Sequence, residues 1–132
     1  MGAEINELDS IGQTPLHYAV CHTYALPIVR VLVDKRADLN IQRNADGWTA
    51  LHLSAMFGKS DVAHCLLEAG ADPEIRDTSN KTAEDTAKHY RHHQLADLLS
   101  RLYLYTTYGK YFTLKVLFFH LLSLGWLPQI YH

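Results

Sequence analysis

Histidine is the residue best equipped for chemistry in this sequence, and there are nine in 132 residues. His89, His92 and His93 cluster, and His89 and His93 stand at i, i+4, a spacing that would put two imidazoles on one helix face for a metal ion. No carboxylate or thiolate sits beside them at ligand spacing, so structural or solvated histidines are expected there. Cys21 and Cys65 are the only cysteines and lie far apart, which predicts no disulfide scaffold and a reducing compartment. There is no glycine-rich phosphate loop, no Cys/His zinc spacing, no His-Glu-x-x-His, and no serine or cysteine with a recognisable base partner. No enzyme activity, metal or cofactor is therefore expected. His17 and His52 remain, and their setting is repetitive.

Thr14-Pro15-Leu16-His17 recurs as Thr49-Ala50-Leu51-His52, 35 residues on, and in degraded form as Thr82-Ala83-Glu84-Asp85 after a further 33. Each copy starts a short apolar helix, with threonine as N-cap and, in the first, Pro15 at a position where its missing N–H is harmless. Leu16, Ala19 and Val20 then form the buried stripe of the first copy. A second helix follows in each: Ile28-Val29-Arg30-Val31-Leu32-Val33, Val62-Ala63-His64-Cys65-Leu66-Leu67 and Leu95-Ala96-Asp97-Leu98-Leu99-Ser100 align. Ile28, Val29, Leu32 and Val33 fall at i, i+1, i+4, i+5 and predict one apolar face. In the second copy Gly47 serves a tight turn, Ser60 is expected to cap the second helix, Gly70 stops it, and Leu51, Val62, Ala63, Leu66 and Leu67 are the expected core. Arg36 stands where Gly70 does, at a position that favours positive φ. Asn80 replaces the turn glycine with the side chain that best tolerates that conformation. Thr82 and Asp85 read as a capping box, and with Glu84 and Lys88 in formerly apolar slots the third copy looks like the polar end of an array.

The period, the Thr-Pro-Leu-His wording and the Ala37-Asp38 and Ala71-Asp72 closes resemble the ankyrin repeat. The expected fold class is thus all-α: an ankyrin-repeat α-solenoid of three helix-turn-helix repeats with short β-hairpin loops and an apolar aromatic C-terminal tail. Residues 9–43, 44–76 and 77–102 form the repeats, and residues 103–132 a non-repeat hydrophobic tail. Residues 1–8 resemble the end of a truncated preceding repeat, since Gly2-Ala3-Glu4-Ile5-Asn6 is similar to a repeat close. That likeness predicts an uncapped apolar flank and a fragment, short isoform or internal start of a longer protein. The alternative is a short array opening on a hairpin.

The resemblance implies non-catalytic protein binding by an adaptor or scaffold, through hairpin tips and the concave ends of the inner helices. The slots this places on the binding face are Ile11, Gln13 and His22, then Asp46, Trp48, Met56 and Phe57, then Lys81, His89 and Tyr90. Trp48, Met56 and Phe57 draw notice as large apolar groups where water is expected, and exposed aromatic clusters mark partner sites. Trp48, Phe57 and Tyr90 are the expected anchors, with Asp46 and Asp77 favouring a basic rim on the partner. His17 and His52 resemble the family's structural turn histidines. Asn40 resembles a hairpin asparagine that some members carry hydroxylated, a position that also has a structural use.

Charge is unevenly spread over a net −2: nine basic against fourteen acidic residues up to Ser100, and only Arg101, Lys110 and Lys115 beyond. An acidic repeat surface argues against direct nucleic-acid binding. No apolar run opens the chain, so no secretory signal is expected, and Asn6 stands where a myristoylation motif needs Ser or Thr. The cytoplasm or nucleus is the expected location. The tail holds nine of the fourteen aromatics and no acid. Three readings stand for it: a greasy cap folded on the third repeat, a non-homologous ending, or a membrane anchor over residues 111–127. The anchor reading would make the chain a membrane-tethered fragment of a larger protein. At 17 residues including Lys115 and His120, that stretch is short for a span.

Overall fold

The computed structural model describes residues 5–108, with side chains through Ser100, together with Gly125. Six helices follow one another: α1 (Pro15–Cys21), α2 (Ala25–Asp34), α3 (Ala50–Phe57), α4 (Ser60–Glu68), α5 (Ala83–His89) and α6 (His93–Tyr108). They pair as α1/α2, α3/α4 and α5/α6. The inner helices α1, α3 and α5 stack in sequence, as do the outer helices α2, α4 and α6. This is the three-hairpin solenoid read from the sequence.

Seven to ten residues make a marginal helix in isolation, so local devices and packing must hold these elements. Every inner helix opens on a reciprocal capping box, Thr14/His17, Thr49/His52 and Thr82/Asp85. One continuous core then runs through the stack, from Leu16, Val20 and Val29 through Leu51, Leu53, Val62, Leu66 and Leu67 to Leu95 and Leu99. The predicted core of the second repeat is fully inside. Ile28 is not: it is exposed, while Val29 beside it is buried and Leu32 and Val33 pack partly against the core.

Between the hairpins, fingers close on single backbone bonds: Asp9 N–H to Gln13 O, Arg43 N–H to Trp48 O and Asp77 N–H to Lys81 O. Among the described residues these fingers contain no regular strand. The second is one residue longer, which takes up one of the two extra residues in the 35-residue spacing. The residue before each closing position has positive φ, namely Gly12, Gly47 and Asn80. At Gly47 a Cβ would also meet the Thr78 nitrogen at 3.0 Å, so conformation and space both demand glycine there. Arg36 adopts φ 61° at the outer-helix stop, as anticipated, and Arg91 adopts φ 65° in the slot held by Gly58.

Ser60 does not cap α4. It is the first helical residue, and the position before it, Lys59, makes no side-chain cap bond. Lys59 is engaged elsewhere, its ammonium donating to the carbonyls of Val20 and His22 at 2.7 Å each. The last helix continues through residues 103–108, where Tyr103 occupies the slot of the Gly70 stop. Asn40 has the structural use foreseen for it: its Oδ1 accepts the Asp72 amide at 2.9 Å, just as Asn6 Oδ1 accepts the Asp38 amide at 2.8 Å. No helix among the described residues is long and apolar enough to cross a membrane. Apart from Gly125, the stretch 111–127, on which the anchor reading rests, lies outside the described residues, as do the side chains of the rest of the tail.

Candidate partner-binding face

Stacking in register turns equivalent positions into columns. His22, Phe57 and Tyr90 form one, at or next to the ends of the inner helices. Cys21, Met56 and His89 form the next. Gln13, Trp48 and Lys81 close the three fingers, and Ile11, Asp46 and Ser79 occupy their tips. The ten residues singled out from the sequence fall in these four columns, and Gln13 and His22 also line a groove on the flank of the first repeat. Phe57 and Tyr90 are 45% and 44% exposed, and Ile11, His22, Lys81 and His89 are also open to solvent. Trp48, Lys81, Lys88, His89 and Tyr90 line a groove of about 580 Å³ between the second and third repeats.

Trp48 departs from the expected free anchor. It is half-buried and packs on the core, with its ring stacked on His52 at a 17° interplanar angle and the Arg43 guanidinium 5.5 Å from its centroid. Its indole N–H donates to Asp77 Oδ2 at 2.9 Å. One ring therefore links two fingers, and only part of it faces the groove. Met56 and Gln13 are also half-buried. Gln13 Oε1 accepts from Arg43 Nη1 at 2.9 Å, and the Met56 carbonyl accepts from His92 Nε2 at 3.0 Å.

The acids expected to attract a basic rim are likewise occupied. Asp46 receives both Arg43 Nε and Nη2, at 2.9 and 2.7 Å, and the Trp48 amide. Burial works against its ionisation, but these donors prevail and hold its carboxyl below the usual range. Asp77 accepts the Ser79 and Lys81 amides and the Trp48 indole, which overcome its burial in the same direction. Among the described residues no group of three or more His, Cys, Asp or Glu side chains is placed to hold a metal ion. His89 instead lies edge-on to Tyr90, with ring centroids 5.0 Å apart.

Phe57 is held in position by its surroundings. The Lys59 ammonium, fixed on the two repeat-one carbonyls, sits 5.4 Å from the Phe57 ring centroid and covers one face. The residue nonetheless stays exposed.

Beneath this face lie His17 and His52, both buried. Nδ1 of His17 accepts the Thr14 amide at 3.0 Å, and Nε2 stands 3.0 Å from the Trp48 carbonyl. A carbonyl oxygen can only accept, so the proton is on Nε2 and the ring is neutral. His52 repeats this with Thr49 at 3.2 Å and the Lys81 carbonyl at 2.9 Å. Protonating Nδ1 would turn a donor against the amide it now accepts. Burial, the leading cause, lowers both pKa values below that of free histidine, even though the carbonyl bonds push the other way. A pKa lowered by folding means the unfolded chain binds the proton first. Stability contributed by these sites is complete above about pH 6.5 and declines as pH falls below it. Urea unfolding compared at pH 7.5 and 5.5 is expected to show a lower midpoint at 5.5. His52→Gln, which keeps a capping partner without a titrating ring, is expected to reduce that difference.

Comparison with known proteins agrees with this architecture. Residues 1–77 match the model for ankyrin repeats (3 copies), and the chain belongs to the ankyrin repeat family. It is similar to the E3 ubiquitin-protein ligase hecd-1 of Caenorhabditis elegans, 34% identical over 99 residues, covering 73% of this chain and 4% of that protein. It is 40% identical over 81 residues to ankyrin repeat and SAM domain-containing protein 6 of Rattus norvegicus, covering 61% of this chain and 9% of the relative. Human NF-kappa-B inhibitor alpha is 46% identical over 79 residues, 58% of this chain and 25% of that protein. The chain thus spans a small part of the relatives it matches. Ankyrin repeats are protein-interaction modules, and that general role is the one the family membership gives this chain.

Proposed function

We propose that the chain is a non-catalytic adaptor module that holds one segment of a partner protein against the column His22, Phe57 and Tyr90 and the adjoining groove. The observation that carries this reading is the exposure of Phe57 and Tyr90 at equivalent positions of consecutive repeats, where Leu16, Leu51 and Leu53 on the inner helices are buried. Two half-open aromatic rings on a rigid support suit an apolar segment, because little side-chain freedom remains to be lost on binding. Trp48 contributes the wall of the groove, while Lys81 and Lys88 beside Asp77 and Asp85 give the rim both signs of charge. The free thiols Cys21 and Cys65 are in keeping with a cytoplasmic or nuclear setting. The inhibitor named above is, by its name, a protein acting on another protein, which favours a protein ligand here too.

Phe57→Ala and Tyr90→Ala test the assignment, since both side chains are open enough to be lost without collapse. With a partner peptide selected against the intact chain, each variant is expected to lose about 2 kcal/mol of affinity, roughly thirtyfold, by calorimetry. Unchanged affinity in both variants would remove the aromatic column from the binding site.

A further inference from the structure

We infer that the Lys59 ammonium, held in the seam between the first two repeats, is a carboxylate-binding site, so that the partner segment carries an aspartate or glutamate beside the apolar residue it seats on Phe57. The inference rests on the aromatic column proposed as the binding site and adds the charge its ligand brings. Lys59 Nζ donates to the Val20 and His22 carbonyls at 2.7 Å each and stands 5.4 Å from the centroid of the Phe57 ring. An ammonium has three protons. Two are spent on the first repeat, and among the described residues the third has no acceptor.

The charge is likewise unanswered. Among the described residues the ion pairs are Arg43 with Asp46, His64 with Glu68 and Lys88 with Glu84, and none includes Lys59. Asp61, the nearest carboxylate along the chain, accepts the Val62 amide of its own helix at 2.8 Å. The charges that act on the Cys21 thiol, next to His22, are those of Arg43 and Lys59, both positive. Arg43 is fully engaged, with two nitrogens on Asp46 and the third on Gln13. Lys59 is the cation left open there.

The second junction is built differently. The slot of Lys59 holds His92 in the third repeat, and its Nε2 lies 3.0 Å from the Met56 carbonyl. A ring that donates to a carbonyl needs no charge. The lysines of that junction have acids beside them: Lys88 pairs with Glu84, and Lys81 lines the groove with Asp77 and Asp85. An anionic side chain is therefore selected at the first junction and not at the second. Covering the half-buried Lys59 with apolar groups alone would strip its water and leave a charge without a counterion. A carboxylate supplies that counterion through a single hydrogen bond, whereas a phosphate dianion calls for several donors or an arginine fork, and the Arg43 fork is occupied.

The test selects short peptides from a random displayed library on the intact 132-residue chain and measures their binding by calorimetry. Peptides that lose affinity on Phe57→Ala are expected to share an acidic residue at a fixed spacing from an apolar one. Replacing that acid by its amide is expected to weaken binding to the intact chain about tenfold, and binding to Lys59→Gln hardly at all, because there the pair is already broken. The first of these losses is read on the peptide alone, so it holds whether or not Lys59→Gln loosens the junction. Lys59→Arg, which keeps the charge, is expected to retain the preference for the acid. Peptides that depend on Phe57 and Tyr90 but bind equally well as acid and amide overturn the carboxylate site and leave the aromatic column standing. So does an amide penalty that is the same on the intact chain and on Lys59→Gln, which would place the acid at another cation. Peptides indifferent to both Phe57→Ala and Tyr90→Ala overturn the column, and the carboxylate site with it.

Discussion

Leu66→Ala is expected to destabilise the fold by about 3 kcal/mol, through lost apolar burial and the cavity left behind. Leu66 is fully buried in α4, between α2 and α6, and the neighbours that would have to close the gap are fixed by their own repeats. With total stabilities of small domains around 5–15 kcal/mol, this removes a large share, and the urea midpoint should fall sharply. Leu32, the same slot in the first repeat, is only partly buried. Leu32→Ala is expected to cost about half as much. Equal losses for the two variants, measured by urea unfolding, would show that the flank of the first repeat is packed as tightly as the middle of the stack.

His52→Ala is expected to cost about 2–3 kcal/mol, although it removes only a few buried heavy atoms. The ring accepts the Thr49 amide, lies 2.9 Å from the Thr49 hydroxyl and reaches the Lys81 carbonyl of the next repeat. Alanine leaves the buried Thr49 amide without a partner, at a cost of about 1–3 kcal/mol before water enters, and removes one of the two bonds to the Lys81 carbonyl, which keeps the Asp77 amide. His52→Gln restores the local cap but not the reach to Lys81, so it should recover part of the loss. If alanine and glutamine behave alike, the reach across repeats contributes most of the effect. The loss should also be visible as faster amide exchange in α5 than in α1, because the junction to the third repeat is the one weakened.

The parts of this fold that were legible in the sequence are those set by a few adjacent residues. Thr14, Thr49 and Thr82 cap their own helices three residues on, so the boxes are visible in a local reading. Arg36 and Asn80 show their positive φ by standing where another repeat has glycine. Arg91 carried the same signal through Gly58. What the sequence concealed are bonds that span a repeat. Trp48 reads as exposed because nothing near it explains a buried indole, and its acceptor Asp77 lies 29 residues away. No residue near Lys59 in the sequence marks its anchorage, on carbonyls 37 and 39 residues back. Ile28 lies on a correctly identified apolar stripe, but the stripe is wider than what covers it. Periodicity reports which residues avoid water and not whether a neighbour is present.

Five of the ties between hairpins end on main-chain oxygen. His17, His52, His92 and Lys59 reach the carbonyls of Trp48, Lys81, Met56, Val20 and His22, and every residue except proline would offer the same N–H and C=O at those places. Four of those five residues belong to the proposed binding face, so their side chains can be exchanged without loosening the joints beneath them. Trp48 is the exception, because its indole also serves a joint. A surface free to vary on a frame that does not register the change lets one architecture acquire new partners by point substitution alone.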